Sequence, residues 1–265
     1  MIITRTPFRI SFVGGGSDLE SFYSQHQGAV LSTTINKYMY LSSHNFFDTD
    51  KIRLKYSKTE TASSHAEIQH PVFREVMKKF NVPGAVEISS NADVPSGTGL
   101  GSSSAFTVGL LHNLHSKGGR MVSKDQLARE ASEIEIEKLK EPIGKQDQYA
   151  AATGGFNHIK FYSDEKVEIL PLNLSKRFVK KFESTLRLYY TGSNRSASII
   201  LNEQKKNMSK KNKVQIMKQM VSFSENFKSL LINKNLKQVG ELLNHNWELK
   251  KQIASNISNN NIELM

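Results

Sequence analysis

The chain has 265 residues, 38% of them apolar, and a formal net charge of +11. That length and composition suit one large domain or two ordinary ones. The lack of cysteine excludes a disulfide framework and any thiolate metal site. No apolar run nears the ~20 residues of a membrane span, and "MIITRTPFRI" lacks a signal-peptide layout, so a cytoplasmic location is expected.

From the N-terminus, "TRTPFRISFV" and "GAVLSTTINKYMYLSSHNF" are rich in β-branched and aromatic residues and predict strands, with "GGGSD" as a turn after the first. "DTDKIRLKYS" continues the strand pattern. Asp48 and Asp50 lack the glycine and distal glutamate of a calcium loop, so a hairpin turn is expected there. Apolar residues at 68, 72, 73, 76, 77 and 80 have helical spacing. His65 and His70, five apart, do not share a helical face as a metal pair would.

"GAVEISSNADV" then predicts a strand and "SSSAFTVGLLHNLH" a helix. "SKDQLAREASEIEIEKLK" is a further helix capped by Ser123; "EPIG" interrupts it, and "KQDQYAAATGG" makes a short new helix ended by Gly154 and Gly155. Strands are expected at "FNHIKFY", "KVEILPL" and "STLRLYYTG", and helices beyond Ser196. One apolar stripe runs through 214, 217, 221, 227 and 231, and another through 236, 239, 243 and 247, which puts Trp247 in the core.

Charge divides the chain: 17 Lys/Arg face 16 Asp/Glu through residue 159, and 19 face 9 beyond it. The basic run "NEQKKNMSKKNKVQ" lacks interleaved aromatics, so it reads as a solvated helix face and not a nucleic-acid surface. Together with the pattern change, the shift suggests an N-terminal domain over 1–165 and a C-terminal one over 166–265.

Between a predicted strand and a predicted helix stands "VPSGTGLGSSSAF". Residues 97–101 read G-x-G-x-G; the lysine of a Walker A loop is absent and the dinucleotide fingerprint fails on spacing. Glycines let backbone N–H groups converge, a helix start adds unpaired donors, and a hydroxyl there can reach phosphate-bound Mg²⁺. By itself the stretch reads as either a flexible connector or an anion cradle. Arg9 with Asp18, and Asp147 in the first turn of a helix, are likewise either surface groups or parts of a pocket.

In the order Pro-x-Arg…Gly-x-x-x-Asp, Pro-x-x-x-Gly-Leu-Gly-Ser-Ser-Ser and Glu…Gly-x-x-Asp-Gln, the chain resembles the GHMP-type small-molecule kinases. Within them, "TRTPFRISFVGGGSDL", "INKY", "LKYSKTE", "GTGLGSSSAFTVGLLH", "EIEIEKLKEPIGKQDQYAAATGG" and "YYTGSNRSASIIL" resemble the heptose 7-phosphate kinase branch, over residues 1 to about 205. The resemblance implies an α+β fold. Its N-terminal part is a mixed sheet with helices, like domain 2 of ribosomal protein S5; its C-terminal part is helix-rich, ferredoxin-like and incomplete.

The resemblance also implies roles. Gly97, Gly99, Leu100, Gly101, Ser102, Ser103 and Ser104 would wrap the phosphates of ATP, with Ser103 and Glu135 as Mg²⁺ ligands. The choice between Ser102 and Ser103 stays open, as does that of Glu135 over Glu133 and Glu137. Asp147 would be the catalytic base, with Arg9 beside it. Asp18, Gly15, Gly16 and Gln146 would hold the sugar, and Lys37, Lys145 and Arg195 are the candidate cations for a substrate phosphate. ATP, Mg²⁺ and a sugar phosphate are the expected partners, without nucleic acid or membrane, in a monomer or homodimer.

The family's late third glycine-rich motif has no counterpart after Ser196. Its loss leaves an inactive nucleotide- or sugar-binding protein as one alternative to a heptose 7-phosphate kinase; the other is a fucokinase-like enzyme for an unphosphorylated sugar, told apart by whether the far end of the pocket is basic.

Overall fold

The computed structural model describes residues 1–189, 197–255 and 257–263. Two long strands, β1 (Ile2–Val13) and β2 (Gly28–Asn45), pair with each other and each runs through both of the chain's compact units. The first unit comprises 1–9, 34–141 and 147–154, and the second 10–33, 142–146 and 155–265. This differs from the consecutive division expected at residue 165. A charge count cannot detect a strand that serves two units.

In the first unit the strand order is β4 (Thr59–Ala62), β3 (Ile52–Lys55), β5 (Val86–Ala92), β2. β3 and β5 are parallel, and the other two pairings are antiparallel. Helix α2 (Pro71–Lys79) starts on a proline, whose missing N–H costs nothing in a first turn, and buries Val72, Phe73, Val76 and Met77. These join Phe8, Leu41, Leu54, Ile88, Leu110 and Leu111 in one core. Helix α3 (Ser102–Lys117) lies close against the strands at Gly109, where a Cβ would come within 2.7 Å of Thr6 Oγ1 and 2.9 Å of Leu41 Cδ1. That close approach fixes the helix whose N-terminus the glycine loop enters.

Helix α4 (Lys124–Ser132), capped by Ser123, runs into a π-helical turn at Glu133–Lys138. The break at "EPIG" follows as predicted, and α5 (Gln146–Thr153) begins beyond it.

The second unit holds the first six residues of β2, which pair antiparallel with β6 (Phe156–Phe161), and β6 pairs antiparallel with β7 (Val167–Pro171). Its helices are the short α1 (Glu20–Tyr23), α6 (Lys176–Thr185), α7 (Ala197–Asn207), α8 (Lys211–Ile232), α9 (Leu236–Lys251) and α10 (Asn260–Glu263). Their core centres on rings: Phe12 stacks on Phe156 at 5.6 Å and on Phe227 at 5.2 Å, between centroids.

Two expectations change. The strand foreseen at "STLRLYYTG" is not formed over its described part: Ser184 and Thr185 end α6, whose Ser175 cap and buried Phe178 and Phe182, four apart, specify a helix. Residues 190–196, Arg195 among them, lie outside the described residues. Trp247 is half-buried at the surface, with the Lys251 ammonium 5.8 Å from its ring, while Val239 and Leu249 take the core positions of α9.

His158 on β6 is fully buried, with Nε2 2.9 Å from Ser224 Oγ and Nδ1 3.6 Å from Glu225 Oε1. Glu225 also pairs with Lys160 at 2.9 Å and Lys228 at 3.0 Å. Burial pushes the imidazole down to about 4 from an ordinary 6.5. A depressed histidine contributes stability above its unfolded pKa, and this is lost as the pH falls through the folded one. His158→Gln is thus expected to cost most at pH 7 and progressively less toward pH 4, measured by urea unfolding across that range. Phe227→Ala should cost about 3–5 kcal/mol in the same assay.

Candidate active site

Three glycines set the shape of the loop before α3. Gly97, Gly99 and Gly101 all adopt φ near +75° (75°, 75° and 74°), a left-handed conformation that costs a residue with a Cβ roughly 1–2 kcal/mol. Gly101 is the N-cap of α3, so the N–H groups opening that helix face the loop. The loop is held from below by Arg9. Its backbone N–H donates to Leu100 O at 3.1 Å and its Nη1 to Gly99 O at 2.7 Å.

The rest of the Arg9 guanidinium grips Asp147 in the first turn of α5. Nε donates to Oδ1 and Nη2 to Oδ2, both at 2.7 Å. This fork-on-carboxylate geometry is the strong, orienting form of an ion pair. A Cβ on Gly101 would stand 3.2 Å from Arg9 Cγ and 3.3 Å from Asp147 Oδ2, so the loop lies directly against the pair. Arg9 and Asp147 remain 13% and 24% exposed, which leaves the carboxylate open to a small molecule.

Glu135 is the second focus. It is 1% exposed, on the π-turn, and accepts four hydrogen bonds: Ser103 Oγ at 2.9 Å and Thr107 Oγ1 at 3.0 Å on Oε1, Ser104 Oγ at 2.7 Å and Gln148 Nε2 at 2.6 Å on Oε2. Burial raises its pKa, against the opposing pull of these donors. The residues between which the sequence left a choice differ in their surroundings. Ser103 meets Glu135, Ser102 has no side-chain bond among the described residues, Glu133 is drawn off by Lys79 and Lys138, and Glu137 is exposed.

The set is one of hard oxygen donors, the type Mg²⁺ takes. Thr107 and Gln148 were not foreseen. Their signal was available in the i, i+4 spacing of Ser103 and Thr107 along one helix.

In the second unit, the turn after β1 is organised by Asp18, itself 2% exposed. Its Oδ1 accepts from Gly16 N–H at 3.0 Å and Gln146 Nε2 at 2.9 Å, and Oδ2 from Gln146 N–H at 3.1 Å. Gln146 Oε1 accepts in turn from Ser11 Oγ at 2.7 Å. Asp18 thus fixes Gln146, the residue preceding Asp147. Lys145 pairs with Glu165, and its ammonium lies 4.8 Å from the Tyr23 ring. Tyr23 donates to the same carboxylate. Lys37 is exposed on β2, in the first unit.

These motifs coincide with a known domain: residues 67–155 match the family of GHMP kinases N terminal domain. The chain is 28% identical over 99% of its length to the D-glycero-alpha-D-manno-heptose 7-phosphate kinase of Campylobacter jejuni, covering 80% of that protein. Residues 67–155 thus carry a GHMP kinase N-terminal domain, and over nearly all of its length the chain is similar to a sugar kinase. A crystal structure of a D-glycero-D-manno-heptose 1-phosphate kinase from Bacteriodes thetaiotaomicron superposes with a TM-score of 0.81 at 25% identity, over 95% of this chain and 80% of that one. The bifunctional fucokinase/GDP-fucose pyrophosphorylase of Arabidopsis thaliana is 24% identical over 96% of this chain, which covers 26% of that longer protein. The α+β class holds for this sugar kinase.

The loop predicts a graded response in this kinase. Gly99→Ala meets no atom within 4 Å and should cost only the backbone strain, about 1–2 kcal/mol. Gly101→Ala adds contact with Arg9 and Asp147 and should lower the melting temperature further, as thermal denaturation of the two variants would register.

Proposed function

We propose that the protein transfers the γ-phosphoryl group of ATP to the C1 hydroxyl of D-glycero-D-manno-heptose 7-phosphate, giving the 1,7-bisphosphate. The carrying observation is the Arg9–Asp147 fork lying against a glycine loop at a helix N-terminus. The heptose kinase from Campylobacter jejuni supports the choice of sugar. Such a reaction would belong to the cytoplasm and to the making of activated heptose for surface polysaccharide, with the protein acting as a monomer or homodimer.

Phosphoryl transfer demands positioning and charge neutralisation more than covalent participation. The loop N–H groups between Gly97 and Ser104 bind the ATP phosphate oxygens. Asp147 accepts a hydrogen bond from the sugar hydroxyl, aims it in line with the γ-phosphorus and takes its proton as the new P–O bond forms. Arg9 holds that carboxylate in one orientation, and its charge faces the transferring group as the ADP oxygen leaves. Ser103 and Glu135 would hold Mg²⁺, which when bound supplies neutralisation of phosphate charge. Asp18 and Gln146 keep the start of α5 in place.

The experiment is ADP formation from Mg²⁺-ATP with heptose 7-phosphate, heptose, mannose and fucose in parallel. Turnover confined to the 7-phosphate supports the reading; turnover with fucose or heptose alone transfers it to an unphosphorylated sugar, and ATP binding without turnover overturns the kinase assignment. Asp147→Asn should lower kcat by roughly 10²–10⁴ with little change in sugar KM. Glu135→Gln should raise the Mg²⁺ concentration needed for half-maximal rate, read from a metal titration at fixed ATP.

A further inference from the structure

The two described lysines expected to meet a substrate anion are poorly placed for it, one exposed on β2 and the other taken by Glu165. A third cation occupies a built position. Lys250, in the last turn of α9, donates from Nζ to Gly15 O at 2.7 Å and to Gln204 Oε1, on α7, at 3.3 Å. Gly16 makes room for this: at φ +101°, a Cβ would lie 2.7 Å from Gln204 Oε1 and 3.2 Å from Lys250 Nζ, so a side chain there would press on the ends of both.

Lys250 has no carboxylate within ion-pair distance among the described residues. An ammonium carries three donors, so two neutral oxygens leave it with a donor to spare. The groups facing it are Asp18 from the loop after β1, Gln204 from α7 and Met217 from α8, of which Asp18 alone is charged. Gly15 in turn faces the Gln146 side chain, 3.9 Å from where its Cβ would be, and Gln146 directly precedes Asp147. The ammonium and the Gln146 side chain thus lie on the same Gly15–Gly16 turn of the second unit.

We propose that Lys250, oriented by Gln204, is the residue that recognises the phosphate of the sugar substrate, making the Gly14–Gly16 turn an anion subsite. The inference rests on the sugar-phosphate reading above. An ammonium suits a freely rotating terminal phosphate, which asks for a point charge more than a fixed fork. Desolvation drops the lysine to about 8 in the unliganded protein, so its charge is present at pH 7 and fades above pH 8. The phosphate, whose second pKa is about 6, stays dianionic across that range.

The test is calorimetric binding of heptose 7-phosphate and of unphosphorylated heptose to the full chain, with KM and kcat from ADP release, for wild type, Lys250→Met and Lys250→Arg. Lys250→Met should weaken the 7-phosphate by about tenfold to a hundredfold, as loss of a charged hydrogen bond implies, and leave heptose and ATP affinity unchanged. Lys250→Arg should restore part of the loss. Wild-type affinity for the 7-phosphate should fall between pH 7.5 and 9.5, and that fall should vanish in Lys250→Arg.

Turnover of the 7-phosphate with an undiminished preference for it in Lys250→Met overturns this proposal alone. Lys250-dependent binding of the 7-phosphate without ADP release supports the subsite and overturns the kinase reading. No preference for the 7-phosphate in wild type overturns both. A general loss of affinity for all ligands with a lowered melting temperature, in both variants, marks Lys250 as structural and also overturns the proposal.

Discussion

One guanidinium holds the candidate site together. Arg9 spends Nε and Nη2 on Asp147 and Nη1 on the Gly99 carbonyl, so the position of that carboxylate and the course of the glycine loop are set by the same planar group. A lysine has neither the fork nor the reach to serve both. Around this centre the fold supplies stiffness: the Arg9 N–H bonds to Leu100 O, and α3 is seated on β1 through Gly109, so the loop is fixed at its middle and its exit.

Glu135 shows how local irregularity serves the site. A regular helix would continue the register of α4, whereas the π-turn at Glu133–Lys138 presents Glu135 to three hydroxyls and an amide. Four donors around one buried carboxylate oppose, without cancelling, the desolvation that raises its pKa. That polar cluster also ties α3 to the π-turn and to α5, so the helix behind the glycine loop and the helix that carries Asp147 rest on shared bonds.

Much of this was legible in the sequence because it is local. The glycine loop, the Ser123 cap, the "EPIG" break and the α2 stripe are each specified by residues within one or two turns, and each appears as expected. What stayed hidden depends on distant parts of the chain. The Arg9–Asp147 pairing spans 138 positions and came only with the family resemblance, while nothing in the sequence announced the Lys250–Gly15 contact across 235. Helix α6 was missed for another reason: the β-branched and aromatic pattern of "STLRLYY" outweighed a short amphipathic stretch with one serine cap. Trp247 was misjudged because a stripe of apolar residues gives a face but not how deeply each one sinks.

The interleaving of the two units bears on how the chain is made. Ile10–Thr33 leaves the ribosome long before residues 155–265, which supply nearly all of the rest of its unit. Phe12, Val13, Phe22 and Leu31 must therefore await their packing partners while the intervening segment, which belongs to the other unit, is synthesised. The nascent chain is consequently most prone to aggregate at an intermediate length, when its first unit can already close and the early apolar segment still lacks cover.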